Sequence, residues 1–221
     1  DTPVSQPPLS PVPNTAPSLP AGEAMSAEVS AAVAVVAQDP ANPDAHLQLS
    51  LAFWDDKRFR PAFEELAQAA NLAGPTNKEF FLKASEEFVK REAWVPASGM
   101  YLRVVSAYGG EEMPIEQENA FHEAVYKATE QKDMPLFVFF ERIDSASLPL
   151  GYIARGRYAL FNGTIEDAEL QLQNAEKVKP DMYEVFLLRA EIDVKNGSFS
   201  QAKNTLLSLS SDLGAPEWVR V

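Results

Sequence analysis

The sequence predicts an all-α protein, a solenoid of about five stacked helix pairs, and three observations carry that reading. From Gly22 onward apolar residues recur at spacings of three and four, as in Phe59, Phe63 and Leu66, and no convincing run alternates apolar with polar. Breaks at Pro40, Pro43, Gly74-Pro75, Gly109-Gly110, Pro114, Pro135, Pro149, Gly163, Pro180, Gly197 and Gly214 cut this pattern into helices of roughly 11 to 17 residues. Sliding the chain by 34 residues lays Arg155 on Arg189, Gly163 on Gly197, Ala168 on Ala202 and Leu172 on Leu206, with Tyr152 over Phe186 and Gly156 over Ala190.

Residues 1–22 hold seven of the 17 prolines. Proline cannot donate a backbone hydrogen bond and turns its predecessor away from the helix, so this stretch reads as an extended, disordered tether. A tether implies something tethered. A signal peptide or membrane anchor ahead of Asp1 would place the protein outside the cytoplasm, at the cell envelope; a Pro-rich linker in a cytoplasmic protein gives the same text.

Residues 23–213 are expected to form the repeat domain. Ala24 to Gln38, closed by Pro40, reads as the second helix of a unit whose first helix is missing. Pro43 to Thr76 follows, patterned by His46, Leu49, Ser50, Phe53, Phe59, Ala62, Leu66 and Ala69. Lys78 to Glu111 offers Phe81, Ser85, Phe88, Trp94, Ala97 and Tyr101, and Met113 to Ser147 offers Phe121, Ala124 and Ala128, with Phe137 where a small residue is usual. Pro149 to Met182 carries Tyr152, Gly156, Gly163, Ala168, Leu172, Ala175 and Pro180, and Tyr183 to Leu213 carries Phe186, Ala190, Gly197, Phe199, Ala202 and Leu206. Ser198 or Ser200 is expected to cap the helix beginning near Phe199. Residues 214–221 read as the start of a capping helix, with Pro216 in its first turn and Trp218 packed on the preceding pair, either as a minimal lid or as a helix cut short.

An aromatic, a small residue, a second aromatic, a later Ala, a large apolar residue and a closing Pro, in that order, resemble the signature of a tetratricopeptide (TPR) repeat. Arg155 stands where that family usually has Leu, and Ala159 where it has an aromatic. The resemblance covers about Glu23 to Leu213. It implies a right-handed α-solenoid of helix-turn-helix repeats, an α-α superhelix, whose first helices line a concave groove for a peptide or helix of a partner. Small residues at Gly156, Ala168, Ala190 and Ala202 would let helices approach closely, while Tyr152, Phe161, Phe186 and Phe199 fill the space around them.

Composition narrows the chemistry. The 19 Lys and Arg against 32 Asp and Glu give a formal charge of −13, which repels phosphate backbones, so nucleic acid is not expected as a partner. With no Cys and two His, His46 and His122, neither a metal nor another cofactor is expected. No run of about 18 apolar residues is present, so a membrane enters only through an anchor outside this chain. His122-Glu123 begins a zinc-protease pattern, but Tyr126 stands where the second His belongs. Ser200 and Lys203 have the spacing of a Ser-x-x-Lys nucleophile, yet they fall at a helix start inside a repeat. The Asn162-Gly163-Thr164 and Asn196-Gly197-Ser198 triplets suit the turns within helix pairs, and Glu86-Glu87 and Glu111-Glu112 suit solvated faces.

What remains is a surface. Read at i, i+4 and i+7, the free stripe of the first helices is Leu47, Leu51, Trp54; Leu82, Glu86, Val89; His122, Tyr126, Thr129; Ile153, Arg157, Leu160; and Leu187, Glu191, Val194. Either it is core displaced by one helical step, or it is a solvent-facing groove with Trp54 and Tyr126 as anchors and Arg157 pairing a carboxylate of the partner. The expectation is a non-catalytic interaction scaffold or assembly factor. Two rivals stand beside it: a recruiting or regulatory region of a larger enzyme, and a module that self-associates through its repeat ends.

Overall fold

The computed structural model describes residues 25–130, 143–144 and 146–220. The tether expected over 1–22 and the helix expected around Phe137 lie outside the described residues. Among the described residues the protein is all-helical. The chain divides into two compact units, one ending at Leu72 and the other running from Ala73 to Val221.

The first unit contains α1 (Ala27–Gln38), α2 (Pro43–Asp55) and α3 (Phe59–Ala73), whose last residue falls at the division. Ser26 begins α1 by accepting the Val29 amide, and Asn42 begins α2 by accepting the amides of Asp44 and Ala45. Pro43 takes the first turn of α2, where its missing N–H costs nothing. Val29 and Val36 of α1 and Leu47, Leu49, Leu51 and Phe53 of α2 supply the core with Leu66, Ala69 and Ala70 of α3.

The second unit contains α4 (Lys78–Val89), α5 (Trp94–Tyr108), α6 (Ile115–Ala128), α7 (Leu148–Asn162), α8 (Ile165–Val178), α9 (Tyr183–Lys195) and α10 (Phe199–Ser211). Asn77 and Thr164 cap α4 and α8 through their side chains, and α5 stops at Gly109 in the left-handed conformation. Ser198 stands at the N-cap of α10, but its hydroxyl makes no capping bond. Packing runs from neighbour to neighbour, α4 on α5, α5 on α6, α6 on α7, α7 on α8 and α9 on both α7 and α8, as in a helical repeat. The expected capping helix is a single turn, in which Val219 and Arg220 donate to the Pro216 carbonyl.

A shared register underlies the helix pairs. Ser50 and Ala62, Ser85 and Ala97, Gly156 and Ala168, and Ala190 and Ala202 are each twelve residues apart, and all eight are buried. At these points the paired helices nearly touch. The Ser50 hydroxyl donates to the Ala62 carbonyl at 2.7 Å, and a Cβ on Gly156 would meet Gln171 Cβ at 3.3 Å and the Ala168 carbonyl at 3.6 Å, with Leu188 of α9 closing in from the other side at 2.6 Å. Phe199, expected as filler, is instead 66% exposed.

Seven residues beyond the small residue the chain must turn back. Gly197 does so at φ +76°, while Lys57 and Glu92 are forced to φ +62° and +53° at the same register. A side chain in this left-handed region costs roughly 1–2 kcal/mol, and glycine's extra freedom in the unfolded chain returns only part of that. Lys57→Gly is therefore expected to stabilise the first unit by roughly 0.5–1 kcal/mol. A urea midpoint that falls or stays fixed would contradict it.

Candidate functional site

The second unit holds a cleft of about 290 Å³ bounded by α6, α7, α9, α10 and the turn at Pro216–Val219. Five of the stripe residues meet there: Tyr126, Arg157, Leu187, Glu191 and Val194. Leu206, Ala190, Lys127, Glu130 and Trp218 complete the lining.

Arg157 organises the wall and is 2% exposed. Its Nε donates to Glu191 Oε2 at 2.9 Å and its Nη2 to Glu191 Oε1 at 2.6 Å, a two-pronged pairing that fixes the guanidinium plane. Nη2 also reaches Glu130 at 2.8 Å, while Nη1 donates to the Tyr126 carbonyl and to Thr129 Oγ1. The cation thus binds a carbonyl in the final turn of α6, where the helix dipole favours positive charge. Burial opposes this charge, but the bond to Glu191, the negative charge of Glu191 and the bond to Glu130 outweigh it and hold the Arg157 pKa above its ordinary value.

Tyr126 lies under that guanidinium, 3.6 Å from ring centroid to Cζ, and 5.5 Å from the Trp218 ring on its other neighbour. Burial pushes its phenol well above the usual range; Arg157 opposes the shift and Glu191 adds to it. Trp218 Nε1 is buried without a hydrogen-bond partner. The charged groups of the wall are already paired, Arg157 with Glu191 and Glu130 and Lys127 with Glu123, and what the cleft offers is mostly apolar: the rings of Tyr126 and Trp218 with Leu187, Val194 and Leu206.

Comparison with family models, curated proteins and solved structures finds no match.

The groove expected along the full stripe requires correction. Leu47, Leu51 and Trp54 are buried in the first unit, where Trp54 packs on Phe59 at 4.8 Å and Phe63 at 5.8 Å. Tyr126, Thr129, Ile153, Arg157, Leu160 and Leu187 are buried in the second. The physical reason is visible at α7, which is covered by α6, α8 and α9, so that little of its circumference is left for solvent. Arg157 answers carboxylates of its own chain rather than one left free for a partner. Leu82 and Val89 are half-buried, Glu86 is exposed and Val194 is 45% exposed. His122 is half-buried and links α6 to α9 through Nδ1 and Glu184 Oε1 at 2.9 Å.

Trp218 was expected to pack on the preceding helix pair, and its contact with Tyr126 has no counterpart in the repeat pattern. Leu206 and Lys127 joined the site unannounced, because an intra-repeat pattern does not report which residues of non-adjacent helices face one space. Among the described residues no group of three or more His, Cys, Asp or Glu is placed to hold a metal, and no helix is long and apolar enough to cross a membrane.

Proposed function

We propose that this chain is a non-catalytic protein–protein interaction scaffold or assembly factor of the tetratricopeptide type, a right-handed solenoid of about five repeats. The observation that carries this is the cleft, whose accessible lining is aromatic and aliphatic while its charged groups are already paired. Such a site suits an apolar anchor on a peptide or helix of another protein, because buried aromatic contacts dominate interface energies. The Pro-rich composition of residues 1–22 supports a tethered domain, and the cell envelope is the position proposed for it.

Trp218→Ala tests the reading. Trp218 is half-buried, and its loss should leave the helices intact while weakening capture of a cross-linked envelope partner by about 1–4 kcal/mol. Equal recovery of every captured protein by the wild type and by a variant with an unchanged melt would remove the cleft as the binding site.

A further inference from the structure

A second surface lies on α9 and α10; it shares Val194 and Leu206 with the cleft but not the rings of Tyr126 and Trp218. Val194, Phe199, Leu206 and Leu207 are 45%, 66%, 38% and 55% exposed and border a shallow hollow of about 320 Å³, with Leu213 beyond it at 90%.

The protein itself shows what such a surface receives. Thirty-four residues earlier, Leu160 and Leu172 occupy the register of Val194 and Leu206, and they are only 8% and 7% exposed, in the helix pair on which α9 packs. That interface is also tied by Asn196 to Glu169 at 3.0 Å and by Arg189 to Glu176 at 2.6 Å. In the α10 copy of the register the two acids are replaced, by Lys203 and Ser210. The shape for a covering helix is kept while the carboxylates are gone.

Charge then selects the occupant. The chain carries a formal charge of −13, so two copies repel across most surfaces. The hollow is lined by Val194, Phe199, Lys203, Leu206, Leu207 and Ser210, with Ala202 at its floor, and holds no carboxylate. A face that must meet itself about a two-fold axis needs this lack of self-repulsion. We propose that the outer face of α10 is a homodimer interface, with α10 packing antiparallel on α10 of a second copy. Centring the axis between Leu206 and Leu207 sets Phe199 of one copy against the Leu213–Gly214 end of the other and Lys203 beside Ser210. The contact is one helix wide, which places it among small, reversible interfaces with dissociation constants near micromolar.

Sedimentation equilibrium of the 221-residue protein decides the matter. The mass should move from 24.3 kDa toward twice that value as concentration rises from about 1 to about 500 μM. Leu207→Glu places a carboxylate on each side of the axis and should weaken the dimer at least tenfold, with the melt of the dilute protein unchanged because Leu207 is exposed. Trp218→Ala should leave the dimer intact, which separates this face from the cleft. A wild-type mass fixed at 24.3 kDa throughout would overturn the proposal. Dimerisation unaffected by Leu207→Glu would overturn it as well, because the copies would then meet elsewhere.

Discussion

Arg157→Ala is expected to cost the second unit about 2–4 kcal/mol, because it strips the donor from the buried Tyr126 carbonyl and Thr129 hydroxyl and leaves the partly exposed Glu191 only partial access to water. Glu191 loses both of its bonds from the guanidinium, and the Tyr126 carbonyl and Thr129 hydroxyl, in buried residues, lose theirs. The aromatic stacking on Tyr126 and Phe161 disappears at the same time. Arg157→Lys should recover only part of the loss, since a single ammonium cannot reproduce a planar fork that serves Glu191 twice. Urea denaturation followed by circular dichroism measures this directly. A cost below about 1 kcal/mol would mean that these contacts are not maintained in solution.

The second large effect belongs to the first unit. His46 Nδ1 lies 2.6 Å from Glu65 Oε2, and His46 Nε2 lies 3.0 Å from the Pro40 carbonyl, which can only accept. Each ring nitrogen of His46 thus has a polar partner, and Glu65 is held against Nδ1. Both side chains are almost fully buried. Either His46→Ala or Glu65→Ala leaves a polar group stranded and should cost about 3–5 kcal/mol, whereas pairing His46→Phe with Glu65→Leu should cost less than either single change. A double-mutant cycle in urea checks both statements, and additive losses would show that the two groups are not coupled.

Helix positions were legible in the sequence because each is bounded by local chemistry. Pro43, Asn77, Gly109 and Thr164 act within a turn of themselves, and a reader needs no tertiary contact to place them. The small residues at Gly156 and Ala168 were legible through recurrence, since only close helix approach requires them twice at the same offset. Exposure was not legible. Leu160 and Val194 stand at equivalent positions in similar helices, yet one is covered by its neighbours and the other is not. Periodicity alone leaves the stripe open between displaced core and groove, and most of it is interior. The buried pair of His46 and Glu65 was missed for the same reason, as nothing local to either residue announces the other. Trp218 was recognised as a packing residue, but the ring it meets lies far away along the chain.

The solitary indole nitrogen of Trp218 has a spectroscopic consequence. Indole emission shifts to the red when its N–H finds a hydrogen-bonding neighbour or water, and this one has neither. Trp218 should thus emit toward the blue while the cleft is closed around it, and any ligand or opening that wets the ring would change its colour. Because Trp54 and Trp94 also emit, the difference in emission between the protein and Trp218→Ala is the optical gauge of the cleft's dryness.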